Sequence, residues 1–217
     1  MRSDIPACEE VRRMRRTRWK RFAAVLVPSV VAAAALVLSM AQGAFAASFF
    51  ISGDQFRISV DTLRAKGLSL YGMVDVTRRG KPVPVIVTGA RSVEITGLCQ
   101  SVLIPIPVFG PFTLLLTGGG QGNPATATNA FLDAEVLAAS NATMDNVDIG
   151  VAAGSLTTGK VNPGDENSKF FAPNAIALQG TSATLTDVRA TGVAANMGSI
   201  TLPGMKASLQ RGDHQCF

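Results

Sequence analysis

The sequence predicts an all-β protein, either a single elongated β-sandwich or a curved antiparallel sheet, preceded by a signal-peptide helix. Three observations predict it. Short runs alternate apolar and polar residues with a period of two, as strands with one buried face do. Gly and Pro separate these runs, at Gly118-Gly119-Gly120, Pro163-Gly164 and Pro203-Gly204. No long amphipathic helical pattern is found after residue 46, and charge is sparse.

The leader comes first. VRRMRRTRWKRF (11–22) is basic, FAAVLVPSVVAAAALVLSMA (22–41) carries no charge, and QGAFAAS (42–48) is small-residue rich. This order is that of a secretory signal peptide, with Ala44 and Ala46 placed for cleavage before Ala47. An uncleaved anchor is the rival, since about 20 apolar residues span a bilayer, but the many Ala and Ser residues favour cleavage. Met14 is an alternative start. The expected division is therefore 1–46 as signal peptide and 47–217 as one β-rich domain of about 171 residues. Residues 1–46 hold eight of the 20 basic and three of the 15 acidic residues, which is the whole net charge of +5. The remainder is neutral and offers no electrostatic footprint for nucleic acid.

Along the exported part, Val74-Asp75-Val76 and Val83-Pro84-Val85 flank TRRGK (77–81) and read as a hairpin. Val93 and Ile95 alternate with Glu94 and Thr96. VLIPIPVFGPF (102–112) is apolar on both alternating sets. Its prolines cannot donate to a ladder, so it reads as an edge. Val102, Ile104, Ile106, Val108, Phe109 and Phe112 are the residues of a candidate apolar edge that meets lipid, a partner or a hydrophobic ligand. Phe112, Leu114 and Leu116 then alternate with Thr113, Leu115 and Thr117. Residues 131–139 are Ala- and Leu-rich enough to hide a helix. SNATMDNVDIGVAA (140–153) resembles TSATLTDVRATGVAA (181–195), which suggests two related units or chance. Val147, Ile149 and Val151 alternate, as do Met205, Ala207 and Leu209.

Catalytic and metal-binding signatures are scarce. No Gly-x-Ser-x-Gly elbow is present, and Gly154-Ser155 lacks its spacing. His214 is the single histidine, so no metal site is expected from imidazoles, and no cofactor is expected. NPGDEN (162–167) reads as a solvated turn rather than a calcium loop. RGD (211–213) reads as a turn. The exported part holds two cysteines, Cys99 and Cys216, and in an oxidising compartment an even pair closes. His214 is then a partly exposed neighbour of that bond.

RRTRWKRFAAVLVPSVVAAAALVLSMAQGA, LCQSV, NVDIGVAAG and MKASL, with a late cysteine, resemble a family of exported actinobacterial proteins of unknown function whose members are commonly labelled cholesterol esterase. The resemblance covers Met14 to Phe217. It implies hydrolysis of sterol or long-chain esters but supplies no catalytic residues. The expectation is an exported or cell-envelope protein that engages lipid-like apolar molecules, lipid or sterol ester, and touches the membrane only through its signal segment. A non-catalytic envelope or surface protein whose β-edges mediate assembly is the rival.

Overall fold

The structure, a computed structural model, describes residues 54–217; the signal-peptide helix, the expected cleavage site, Met14 and Cys8 lie outside the described residues. The strands are β1 (Phe56–Val76), β2 (Pro82–Thr96), β3 (Leu98–Ile106), β4 (Gly110–Gly118), β5 (Ala125–Ala138), β6 (Asn141–Asp145), β7 (Asp148–Ala152), β8 (Ile176–Asn196), β9 (Ser199–Thr201) and β10 (Lys206–Arg211). A single 3-10 turn, Ala153–Ser155, is the only helical element among the described residues. All strands join one antiparallel sheet in the order β10-β4-β3-β1-β2-β5-β8-β6, with β7 on β8 and β9 on β5. Because β1 also pairs β8, the strands β1, β2, β5 and β8 form a closed cycle of ladders. The fold is therefore all-β, a curved antiparallel sheet.

Local sequence explains the main elements. The hairpin β1–β2 turns at TRRGK, where the Thr77 N–H donates to the Lys81 carbonyl at 2.9 Å. Asp75 faces Val83 and Met73 faces Val85 across it. Long β1 bends at Gly67, which holds φ +65°. A Cβ there would lie 2.8 Å from the Arg91 side chain, so glycine suits the position on both counts. The bend shifts the alternation of faces. Ala65 and Leu68 share one core cluster with Ala90, Val93, Ala127 and Ala183, whereas Tyr71 turns to another with Val83, Val85, Val87, Phe131 and Val193. A third, smaller cluster forms around Val60, Leu98 and Val188.

Several expectations are corrected. Residues 131–139 hide no helix; all but Ala139 continue β5, which pairs with β2 on one side and β8 on the other. Two ladders outweigh the modest helical preference of Ala and Leu. The two similar stretches are not equivalent units. The first forms β6 and β7, and the second lies inside β8, where Ala142 faces Leu185 and Thr143 faces Thr184. The period-two runs at 112–117 and 205–209 are strands, but their apolar set points outward. Thr113 is fully buried while Leu114 and Leu209 are 42% and 57% exposed. NPGDEN is not a solvated turn, for Asn162 and Asp165 are buried.

Candidate functional site

The hairpin of β3 and β4 carries the first candidate surface. The first half of β3 is internal: Cys99 to Val102 pair with β1 on one side and with β4 on the other. From Leu103 to Ile106 it pairs with β4 alone. Pro105 lies opposite Pro111 in that half, where the missing N–H groups leave no second ladder unsatisfied. Of the predicted edge residues, Val102 is thus paired on both sides and Ile104 and Ile106 on one. Ile104 faces Phe112. Phe56, Val102, Leu114 and Leu209 stand opposite one another across four strands, β1, β3, β4 and β10. The result is an apolar row across the sheet, from which Ile104, Phe112 and Ile106 lead along the hairpin toward its tip.

At that tip the Phe109 N–H donates to the Ile106 carbonyl at 3.2 Å. Val108 is 100% exposed and Phe109 63%. Val108 also sits at φ +72°, a left-handed conformation that a β-branched residue adopts only at a cost. Nothing packs on its side chain to offset that cost. An apolar tip held in a strained turn without core contacts is the kind of outlier that points from structure to function.

The opposite face of the same strands carries the tail. Cys99 and Cys216 are joined by a disulfide, with Cα atoms 5.9 Å apart and a sequence separation of 117. Further bonds hold the tail, among them the Gly212 N–H to the Pro111 carbonyl at 2.8 Å and the Arg57 guanidinium to the Phe217 carbonyl. Thr113 Oγ1 donates to the Gly212 carbonyl at 2.8 Å and accepts from the His214 N–H at 2.9 Å. Ser101 Oγ accepts from the Cys216 N–H at 3.0 Å. The Phe217 ring lies between two guanidinium groups, 5.4 Å from Arg57 and 5.7 Å from Arg189. This clamp was not legible in the sequence, because 57 and 189 meet only through the ladder of β1 on β8. The bond also removes Cys99 as a nucleophile. His214 is exposed, and its Nε2 lies 3.1 Å from the Arg211 carbonyl oxygen. No serine hydroxyl or carboxylate is hydrogen-bonded to that ring among the described residues.

A second constellation lies under the segment 156–175, which crosses the face of β1 and β2. Tyr71 is fully buried. Its hydroxyl donates to Asp165 Oδ2 at 2.6 Å and accepts from the Asn162 N–H at 2.9 Å. The Phe171 ring meets Tyr71 edge-on, 5.8 Å between centroids. Gly159 presses against Leu68 and Ser69, where a Cβ would come within 2.5 Å of the Leu68 carbonyl oxygen. Beside it Ser69 Oγ donates to the Lys160 carbonyl at 2.7 Å. Gln179 Oε1 accepts from the N–H groups of both Thr157 and Thr158.

Two further carboxyls face the same core. Asp133 is 5% exposed and its Oδ1 has no partner; Asp75 Oδ2 is likewise buried without one. Burial raises both, and neighbouring carboxylates add to it. Asp75 is pushed up to about 6 by burial and then by Asp165. Asp133 is pushed up to about 8 by burial and then by Asp75 and Asp165. Burial raises Asp165 as well, opposed by the bond from Tyr71. The Tyr71 hydroxyl is raised by burial and by Asp165, so it stays protonated. Among the described residues no three Asp, Glu, His or Cys side chains are placed to hold one metal ion.

These features define a class: an all-β protein with one closed-cycle antiparallel sheet, a strap over a buried acidic core, and a tail stapled beneath an apolar hairpin. The chain belongs to a family of unknown function, DUF6230, whose model matches residues 52–217. No curated protein and no solved structure matches it.

Proposed function

We propose that this is an exported protein that engages lipid-like apolar molecules through the β3–β4 hairpin. The observation that carries the reading is the tip, where Val108 and Phe109 are exposed at the end of an apolar strip and Val108 is held in a strained turn. A wedge of this kind gains free energy only when its apolar surface leaves water, at about 25 cal/mol per Å². The disulfide supports export, since such bonds persist in oxidising compartments. Hydrolysis of sterol or long-chain esters, which the resemblance to esterase-labelled proteins implies, would have His214 as its only imidazole base, and that ring bonds a backbone carbonyl.

The test is co-flotation of the protein with phosphatidylcholine vesicles containing a sterol ester, with ester hydrolysis followed in parallel. Wild-type protein should float with the vesicles, and Phe109→Asp should not, with its melting temperature unchanged. Equal flotation of the two proteins would sink the reading. A second reading is assembly through strand edges, favoured by β6, which is exposed at every residue, and by β10, exposed at all but Gln210. Self-association in the absence of lipid, lost on substituting β10 residues with Pro, would support that reading instead.

A further inference from the structure

The buried acidic core joins two elements of different mobility. Tyr71 and Asp75 belong to β1 and Asp133 to β5, each fixed in ladders on both sides over much of their length. Asp165 belongs to the segment 156–175, which enters no ladder among the described residues. Its first part is held by Gln179 on Thr157 and Thr158, by the Arg91 guanidinium of β2, which donates to the Thr157 carbonyl at 2.9 Å, and by Ser69 on the Lys160 carbonyl. Its second part is held at Tyr71, by Asp165, the Asn162 N–H and Phe171, and its end is fixed by the Gly154 and Ala153 N–H groups, which donate to the Pro173 and Ala175 carbonyls. Beneath lie Val83, Val85, Val87 and Phe131, an apolar floor.

We propose that residues 156–175 form a proton-held strap: with Asp75 and Asp133 protonated it lies closed on this floor, and ionisation of the two carboxyls drives Asp165 and the second half of the strap away. The geometry gives the direction of motion. Like charges within one core repel, and of the elements that bear them only the strap lies outside the ladders. Four titratable groups share this core among the described residues. From β1 they are Tyr71 and Asp75, from β5 Asp133, and from the strap Asp165; β2 and β8 contribute Val83, Val85, Val87, Ala177 and Val193, none titratable. The strap's own Lys160, Glu166 and Lys169 are exposed. No lysine or arginine forms an ion pair with the three carboxyls among the described residues, so nothing compensates the second and third negative charge. Burial and mutual repulsion place the change between about pH 6 and about pH 8. Opening would uncover the floor and leave the sheet intact.

Amide hydrogen exchange of the full chain tests this, with rates corrected for intrinsic chemistry. Between about pH 5 and about pH 9 the amides of 161–172 should lose about tenfold or more of their protection, while those of β2 keep theirs. Asp133→Asn should hold the strap protected across the range. Asp75→Asn should do so in part, and it decides the matter if the first variant does not fold. Strap protection that stays flat with pH in the wild type overturns the proposal. So does strap protection lost together with that of β2, or lost equally in the folded variants.

Discussion

Asp133 is the residue with the least satisfied environment: 5% exposed, one oxygen without a partner, and facing Val87 and Ala194 across its ladders. Folding places it where burial favours the neutral acid over the carboxylate. Asp133→Asn keeps the shape and removes the titration, so at pH 7 it should raise stability by about 1–3 kcal/mol. Denaturant melts at acidic and neutral pH check this; at acidic pH the gain should shrink toward zero. Thr113 is the contrary case, a buried hydroxyl with both roles used. Thr113→Val leaves the His214 N–H and the Gly212 carbonyl unsatisfied and should cost about 1–3 kcal/mol. His214→Ala removes an exposed ring and should change stability by less than about 0.5 kcal/mol. Thermal or chemical melts of the two variants side by side give the contrast.

At the scale of elements, the tail and the hairpin share strands but not faces. The tail covers the side of β3 and β4 that bears Ser101 and Thr113, both fully buried. The apolar strip is left on the other side. Cys216→Ser should release the tail and lower stability by roughly 2–5 kcal/mol, because the bond closes a loop of 117 residues. Phe217 adds to the anchoring through its two guanidinium neighbours. Loss of the staple should therefore raise hydrogen exchange in 212–217 first and in β4 next, with β2 and β8 little changed. A uniform rise across the sheet would show that the tail organises the whole fold.

For the whole molecule the acidic core sets a pH dependence of unusual sign for carboxyls. Asp75 and Asp133 have folded values near 6 and 8, above the ordinary value of 3.8. Between those limits the folded chain binds more protons than the unfolded one, so stability falls as pH rises. The contribution is fully present below about pH 4, declines through the window and is gone above about pH 8. Most paired carboxylates do the reverse. Unfolding free energy measured by urea titration should thus be greater at pH 5 than at pH 8, by on the order of a few kcal/mol. A stability that rises over this range would contradict the burial of these groups.

The sequence by itself determined the class of fold and the covalent frame. Period two along Val93–Thr96, Phe112–Thr117 and Met205–Leu209 specifies strands, because successive side chains of an extended chain alternate whatever lies beyond them. Turn chemistry at TRRGK placed a hairpin, and cysteine parity after the basic and apolar leader named Cys99 and Cys216. What alternation does not contain is which face is buried. That was decided by tertiary structure: the tail laid across Thr113 and Ser101 made the polar set of β3 and β4 the inner one and left Leu114 and Leu209 outside. Nor could spacing reveal that Tyr71, Asp75, Asp133 and Asp165 meet. They are far apart in the chain and come together because β1, β2 and β5 lie side by side and residues 156–175 return across them. Local patterns are set by steric rules within a few residues, whereas such meetings depend on long-range ladders that no window along the chain spans.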